Sequence, residues 1–301
     1  MLEIHFGDNL EVIRAFPERS FDLIYIDPPF NTGKDQRRTS LRTTRCAEGE
    51  VGERTGFGGH RYKVETLGSS AYADSFDDYL GFLEPRLLAA KRLLRPTGSF
   101  FLHLDYREVH YAKVMCDGIF GRENFQNEII WAYDYGGRSK SRWSPKHDNI
   151  LWYSCSPKRF TYRYDDIDRI PYMAPRLVTP EKAARGKTPT DCWWQTIVSP
   201  MSKEKTGYPT QKPLAVIERI VRVHSNPGDS VLDFFAGSGT LGEAAARHGR
   251  HATLVDANPE AIEVMRTRLA FAEPRLFGWP PADPGPADPG PADPAPADPA
   301  P

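Results

Sequence analysis

A β-rich run, Ser230-Val231-Leu232-Asp233-Phe234-Phe235, opens onto Ala236-Gly237-Ser238-Gly239-Thr240 and then a helical stretch, and this junction restricts the fold more than any other feature. Glycines so closely spaced let backbone approach a nucleotide-like ligand at the carboxyl edge of a parallel sheet. The turn departs from G-x-G-x-x-G, because Leu241-Gly242-Glu243 follow, so its ligand need not carry a pyrophosphate. A purely structural tight turn is the competing reading. The next β-rich run, His251 to Val255, leads to Asp256, where a carboxylate would reach a ribose hydroxyl pair. Helix capping is the alternative use of Asp256, but Asn258-Pro259 already supplies a cap and a first-turn proline.

The rest of the chain alternates in the same way, which is the form of an α/β fold with helices on both faces of a sheet. Further strands are expected over Phe21 to Ile26, Ser99 to Leu104, Ile129 to Tyr133 and Asn149 to Tyr153. Helices are expected over Tyr79 to Leu94, Leu214 to Val223, Leu241 to His248 and from Asn258 to about Ala272.

The first of those strands runs into Asp27-Pro28-Pro29-Phe30. Two prolines remove two N–H donors and hold the backbone extended, leaving carbonyls free to accept from a ligand. A carboxylate, a rigid carbonyl and an aromatic face together suit an exocyclic amino group on a planar base. Standing alone, the tetrapeptide also admits a plain loop, as the lesser reading.

Composition narrows the class. Residues 279–301 are built on Pro-Ala-Asp-Pro repeats, which bury no apolar surface, so a disordered tail is expected there. The repeats supply Asp without Lys or Arg, so the remainder of a chain of net charge -1 is mildly basic. Residues 35–70, rich in glycine, serine and arginine, show no sustained period and read as a long mobile loop. Residues 134–212 hold 15 Lys plus Arg against 8 Asp plus Glu, and read as inserted rather than as core sheet. Arg138, Lys140, Arg142 and Lys146 are the densest basic cluster and the candidates for phosphate contacts; a solvated charged face is the alternative. Trp131, Trp143, Trp152, Trp193 and Trp194 are read as core. Four scattered cysteines and eight histidines without ligand spacing predict free thiols and no metal. No apolar leader or run of about 18 apolar residues is present, so no membrane partner and a cytoplasmic location are expected.

Taken together, Asp27-Pro28-Pro29-Phe30 and Asp233 to Thr240 resemble the D/N/S-P-P-Y/F and D-P-F-x-G-S-G-T motifs of S-adenosylmethionine-dependent DNA amino-methyltransferases. Tyr208-Pro209-Thr210-Gln211-Lys212-Pro213 resembles that family's H-P-T-Q-K-P element, and Gly7-Asp8-Asn9-Leu10 its G-D segment beside the cofactor adenine. The departures are Phe30 for Tyr, Phe234 for Pro and Tyr208 for His. The order of motifs resembles the circularly permuted β group. The resemblance implies a Rossmann-like methyltransferase mixed sheet with a target-recognition insertion. Its parts would be a catalytic part over 1–133, the insertion over 134–207 and a cofactor-binding part over 208–278.

The resemblance also implies roles for individual residues. Asp27, Pro28, Pro29 and Phe30 would be catalytic, and Asp8, Lys212, Asp233, Phe235, Gly237, Gly239, Thr240 and Asp256 would bind S-adenosylmethionine. The target would be a base flipped from double-stranded DNA, stacked on Phe30. Adenine N6 is the first expectation, because Asp leads the motif, and cytosine N4 is the second. Methylation of a protein glutamine amide fits less well, since there the glycine loop usually comes first. An inactive DNA-binding subunit is the non-enzymatic alternative. A homodimer and a cognate restriction endonuclease are further partners the resemblance brings.

Overall fold

The computed structural model describes residues 1–33, 36–45, 54–55, 61–72, 74–199 and 201–279. In chain order its elements are β1 (Leu2–Phe6), α1 (Asn9–Ala15), β2 (Phe21–Ile26), β3 (Gln36–Arg45), β4 (Arg54–Thr55), β5 (Arg61–Tyr72) and α2 (Tyr79–Leu93). There follow β6 (Leu94–Leu104), α3 (Val109–Phe120), β7 (Phe125–Ala132), β8 (His147–Ser154), α4 (Pro180–Arg185) and β9 (Cys192–Trp194). The chain closes with α5 (Leu214–His224), β10 (Ser230–Asp233), α6 (Thr240–Arg247), β11 (His251–Asp256), α7 (Pro259–Arg268) and β12 (Arg275–Phe277).

Period-two alternation along the strands decides which helices cover which face. On β2, Leu23 and Tyr25 join a core with α5, α6 and α7, while Ile24 and Ile26 join the opposite core with α1, α2 and α3. The same split recurs on β10, where Val231 belongs to the first core and Leu232 to the second. Both faces are therefore covered, as a sheet with parallel connections requires. The strand order is β12-β1-β11-β10-β2-β6-β8-β7-β9. From β12 to β6 neighbours run parallel, β8 is antiparallel to β6 and β7, and β9 is parallel to β7 at the far edge.

From β10 the chain proceeds to β11 on one side, whereas from β2 it proceeds to β6 on the other. β10 and β2 are neighbours, so connections leave their carboxyl ends in opposite directions and a crevice opens between them. Asp233 ends β10, Asp256 ends β11, and Asp27 comes directly after β2.

The structure alters several expectations. Residues 36–45, 54–55 and 61–72 are not irregular: β3, β5 and β4 form a separate antiparallel sheet, with β3 paired to β5 from Gln36 to Arg45. Thr39, Thr43, Thr44, Tyr62, Val64 and Thr66 favour strands, and Tyr62, Val64 and Thr66 alternate with Arg61, Lys63 and Glu65, a short period-two signal inside a stretch rich in glycine and arginine. The stretch 134–212 is not wholly an insertion either. Its β8 lies inside the main sheet, with Ile150, Leu151, Trp152 and Tyr153 buried, and β9 extends the edge. Helix α2 stops at Leu93, because Leu94 is already extended (φ -72°, ψ 137°) and pairs with Phe21 of β2. The Pro-Ala-Asp repeat beyond Trp279 lies outside the described residues. Among those residues no helix is long and apolar enough to cross a membrane.

One core residue makes stability depend on pH. His224 at the end of α5 packs against Trp152 with ring centroids 4.3 Å apart, and burial lowers its imidazole pKa from 6.5 to about 3. The unfolded chain binds a proton at His224 that the folded chain refuses, so stability falls as pH drops from 6.5 towards 3. The expected slope is about 1.4 kcal/mol per pH unit from this group. Denaturant unfolding at a series of pH values should show His224→Phe with a slope shallower by that amount, and an unchanged slope would remove His224 as its source.

Candidate active site

The glycine turn after β10 takes its shape from two positive-φ residues. Gly237 (φ +49°) would place a Cβ 3.1 Å from the Tyr208 ring, and Gly239 (φ +74°) would place one 2.8 Å from Met265 Cγ. The first glycine admits a ring over the turn, and the second admits α7 beneath it. Arg268 holds the turn from behind, its Nη1 donating to Ser238 O at 3.2 Å and to Thr240 Oγ1 at 2.9 Å. In front, the Asp256 carboxylate accepts from Gly237 N at 2.7 Å and Asn258 N at 2.8 Å, joining the loops after β10 and β11. Burial raises the Asp256 pKa despite these bonds. Burial raises that of Asp233 further, with added repulsion from Asp27 and Asp256, although Phe235 N donates to it at 2.9 Å.

These groups line a cavity of about 430 Å³ that also takes in Tyr25, Asp27 and Lys212. A second cavity of about 490 Å³ lies against it, with Phe30, Asp105, Trp131, Tyr133 and Asp148 in its wall. Tyr208, Thr210, Gln211 and Lys212 border both. Thr210 stands at φ +60°, a conformation rare for a β-branched residue. Glu204 O holds the neighbouring Gln211 by accepting from Nε2 at 2.7 Å.

Asp27 lines the first cavity next to Lys212, which borders both. Lys212 Nζ donates to Asp27 Oδ2 and lies 4.9 Å from the Phe30 ring centroid. Asp27 Oδ1 is buried and accepts no hydrogen bond among the described residues. A buried acceptor without a donor is costly, so a site that keeps one is shaped for a donor from outside the chain. Buried Asp74 fixes the loop beyond, accepting from Asn31 N at 2.7 Å, and Asn31 Nδ2 donates to Glu108 at 2.8 Å.

A buried polar chain runs beneath. The carboxylate of Asp148 can only accept, so His103 Nε2 donates to it at 3.2 Å, while His103 Nδ1 and the Tyr25 hydroxyl share a hydrogen bond of 2.7 Å. Tyr133 donates to the other Asp148 oxygen at 3.0 Å. Burial would raise the Asp148 pKa, but His103, Lys212 and Tyr133 together hold it below its ordinary value. Tyr25 opens on the first cavity, and Asp148 and Tyr133 open on the second.

The structure thus brings Asp27, Pro29, Lys212, Asp233, Phe235, Gly237, Thr240 and Asp256 to one cavity and puts Phe30 on the adjoining one. Pro28 lines neither. Gly239 lies behind the turn against Met265. Asp8 caps α1, accepting from Leu10 N at 2.9 Å, and pairs with Arg86 at 3.4 Å, away from both walls. Arg138, Lys140, Arg142 and Lys146 lie on the loop between β7 and β8. Trp131, Trp152 and Trp193 are core as expected, whereas Trp143 and Trp194 are 98% and 73% exposed. Sequence patterns do not single out Tyr25, His103, Asp74 or Asp148. His103 is a polar residue inside the apolar run of β6, and that is its one signal, whereas Asp148 stands between His147 and Asn149 in the polar start of β8.

Residues 21–267 match the family model N6_N4_Mtase, described as DNA methylase, so the chain belongs to that family of DNA methyltransferases. Among curated relatives, the Type II methyltransferase M.HpaI of Haemophilus parainfluenzae is 31% identical over 263 residues, covering 87% of this chain and 72% of that protein. The DNA adenine methyltransferase YhdJ of Escherichia coli (strain K12) is 28% identical, covering 88% and 82%. The fold is also that of the M1.HpyAVI-SAM complex, at TM-score 0.58 and 21% identity over 89% of this chain and 99% of that one. PvuII DNA methyltransferase, named cytosine-N4-specific, superposes at TM-score 0.57 with 17% identity, covering 88% and 85%.

The packing role of Gly239 has a direct check. Gly239→Ala should destabilise the protein by about 1 to 3 kcal/mol in urea unfolding through overlap with Met265. Adding Met265→Ala should make the second change less harmful than it is alone. Strict additivity would mean the two residues do not touch.

Proposed function

We propose that this methyltransferase moves a methyl group from S-adenosylmethionine to the exocyclic N6 of an adenine turned out of duplex DNA. The observation that carries the reading is Asp27 Oδ1, a buried acceptor without a donor among the described residues, on a carboxylate that lines the first cavity and pairs with Lys212, which borders both. S-adenosylmethionine supplies an activated methyl on a sulfonium, and the protein supplies orientation and charge.

Residues of the first cavity suit such a cofactor. Asp256 keeps lone pairs for ribose hydroxyls beyond its two backbone bonds. Gly237 leaves the turn without a side chain, Thr240 and Phe235 flank it, and Asp233 and Lys212 complete the wall. The second cavity has room and aromatic surface for a base, with Phe30, Trp131 and Tyr133 around it. Asp27 Oδ1 would accept one amino proton and a carbonyl of the proline pair the other. That draws the nitrogen towards tetrahedral geometry and stabilises the positive charge it gains. Lys212, already on Oδ2, holds the carboxylate so that Oδ1 points to the base.

Adenine is preferred because Asp leads the P-P motif and because YhdJ is named an adenine methyltransferase. The reading extends to a cognate restriction endonuclease, since M.HpaI and M.ScaI both carry the name Type II methyltransferase. Lys140 and Arg142, whose side chains have no partner among the described residues, are its phosphate contacts. Arg138 is paired with Asp134, and Lys146 donates to Tyr135 O, so those two shape the loop as well.

Incubation of unmethylated genomic DNA with labelled S-adenosylmethionine, followed by nucleoside analysis and mapping of modified sites, tests the reading. N6-methyladenine is expected, falling by about a hundredfold or more in Asp27→Ala. N4-methylcytosine would replace the target base, and absence of transfer would refute the activity. Affinity for the cofactor should also rise with pH above the ordinary aspartate value of 3.8, because burial keeps Asp256 protonated longer and a ribose hydroxyl needs the ionised acceptor. Asp256→Asn should flatten that profile in equilibrium titrations, and a profile indifferent to this change would detach Asp256 from the cofactor.

A further inference from the structure

The loop between β7 and β8 presents Trp143 with 98% of its surface exposed. Few large aromatic residues in a folded chain are left so bare, and this one is held out by structure. Tyr133 N donates to Lys146 O at 3.0 Å and closes the stem. Within the loop, Ser139 N donates to Ser144 Oγ at 2.7 Å, and Ser139 Oγ accepts from Ser141 N at 3.2 Å and Arg142 N at 3.3 Å. The serines thus fold the segment on itself and leave the indole outside the fold. Residues 134–146 carry four cations against one acid.

The loop leaves and rejoins the fold beside the second cavity. The loop is bounded by Tyr133 and Asp148, both in the wall of the cavity that holds Phe30, and Trp143 is five residues before Asp148. A base entering that cavity leaves a gap in its duplex, flanked by bases with open faces. We propose that Trp143 enters that gap and stacks there, while Lys140 and Arg142 hold the flanking phosphates. The proposal rests on the reading of the second cavity as the target-base site. It adds the side chain that supports the distorted duplex. An aromatic face serves because every base offers a stacking surface, and intercalating apolar side chains stabilise unstacked steps.

The test uses the full chain and an oligonucleotide duplex bearing the site mapped by genomic methylation. Trp143→Ala should lower the single-turnover transfer rate by about tenfold or more, the size of one lost base-aromatic stack. With the target base in a mismatch, where extrusion is easier, the defect should shrink to about twofold, and Trp143→Phe should restore much of the rate on the matched duplex. With 2-aminopurine at the target position, the fluorescence rise on binding should be smaller for Trp143→Ala than for the native chain. Equal loss on matched and mismatched duplexes, or no loss on either, would overturn the proposal, as would an undiminished 2-aminopurine signal. Native protein active on these duplexes with Trp143→Ala equally active would defeat the wedge alone. A native chain inactive on every DNA would defeat the reading of the site, and the wedge with it.

Discussion

The ion pair between Asp27 and Lys212 joins residues 185 positions apart and places the two cavities side by side. It forms because β2 and β10 are adjacent while their connections leave in opposite directions, so the loop after one strand meets the segment leading into α5. Most features of the site depend on this meeting. Tyr208 and Thr210 border both cavities because Lys212 is drawn to Asp27, and the left-handed turn at Thr210 is part of bringing it there. Strained backbone persists where surrounding contacts over-determine it, and here Gln211 is tied on both sides.

The site is largely legible in sequence where the chemistry is local. Asp27 and Asp256 lie at strand ends, beside a P-P pair and a capped helix respectively, and simple backbone rules suffice to place them. Gly237 is placed in the same way. Gly239 looks equivalent in sequence, but its requirement comes from Met265, a residue of another helix that no local rule connects to it. Asp8, which the resemblance places beside the cofactor adenine, caps α1 and lines neither cavity. His103 and Asp148 are hidden because each needs the other: neither belongs to a motif, and their contact exists only when β6 and β8 pair.

The fold shows the same division. Helix α7 is visible through Asn258 and Pro259, and the Asn258 side chain accepts from Glu260 N at 2.9 Å. Helix α3 is absent from the sequence-based expectations, although Val109, Ala112, Cys116 and Ile119 recur at helical spacing and are buried. The β3–β5 ribbon is harder to find in sequence, since its period-two alternation lasts only from Arg61 to Thr66 and its register is set by the pairing of the two strands.

The cavity edge bears a further property through its three carboxyl groups, Asp27, Asp233 and Asp256, at the ends of neighbouring strands. Burial makes Asp233 and Asp256 reluctant to ionise, and a cation placed among them reverses that reluctance. A sulfonium brings such a charge, whereas the thioether left after methyl transfer does not. A ligand that carries a positive charge among these three carboxyls would therefore be held more firmly by this wall than a neutral one of the same shape.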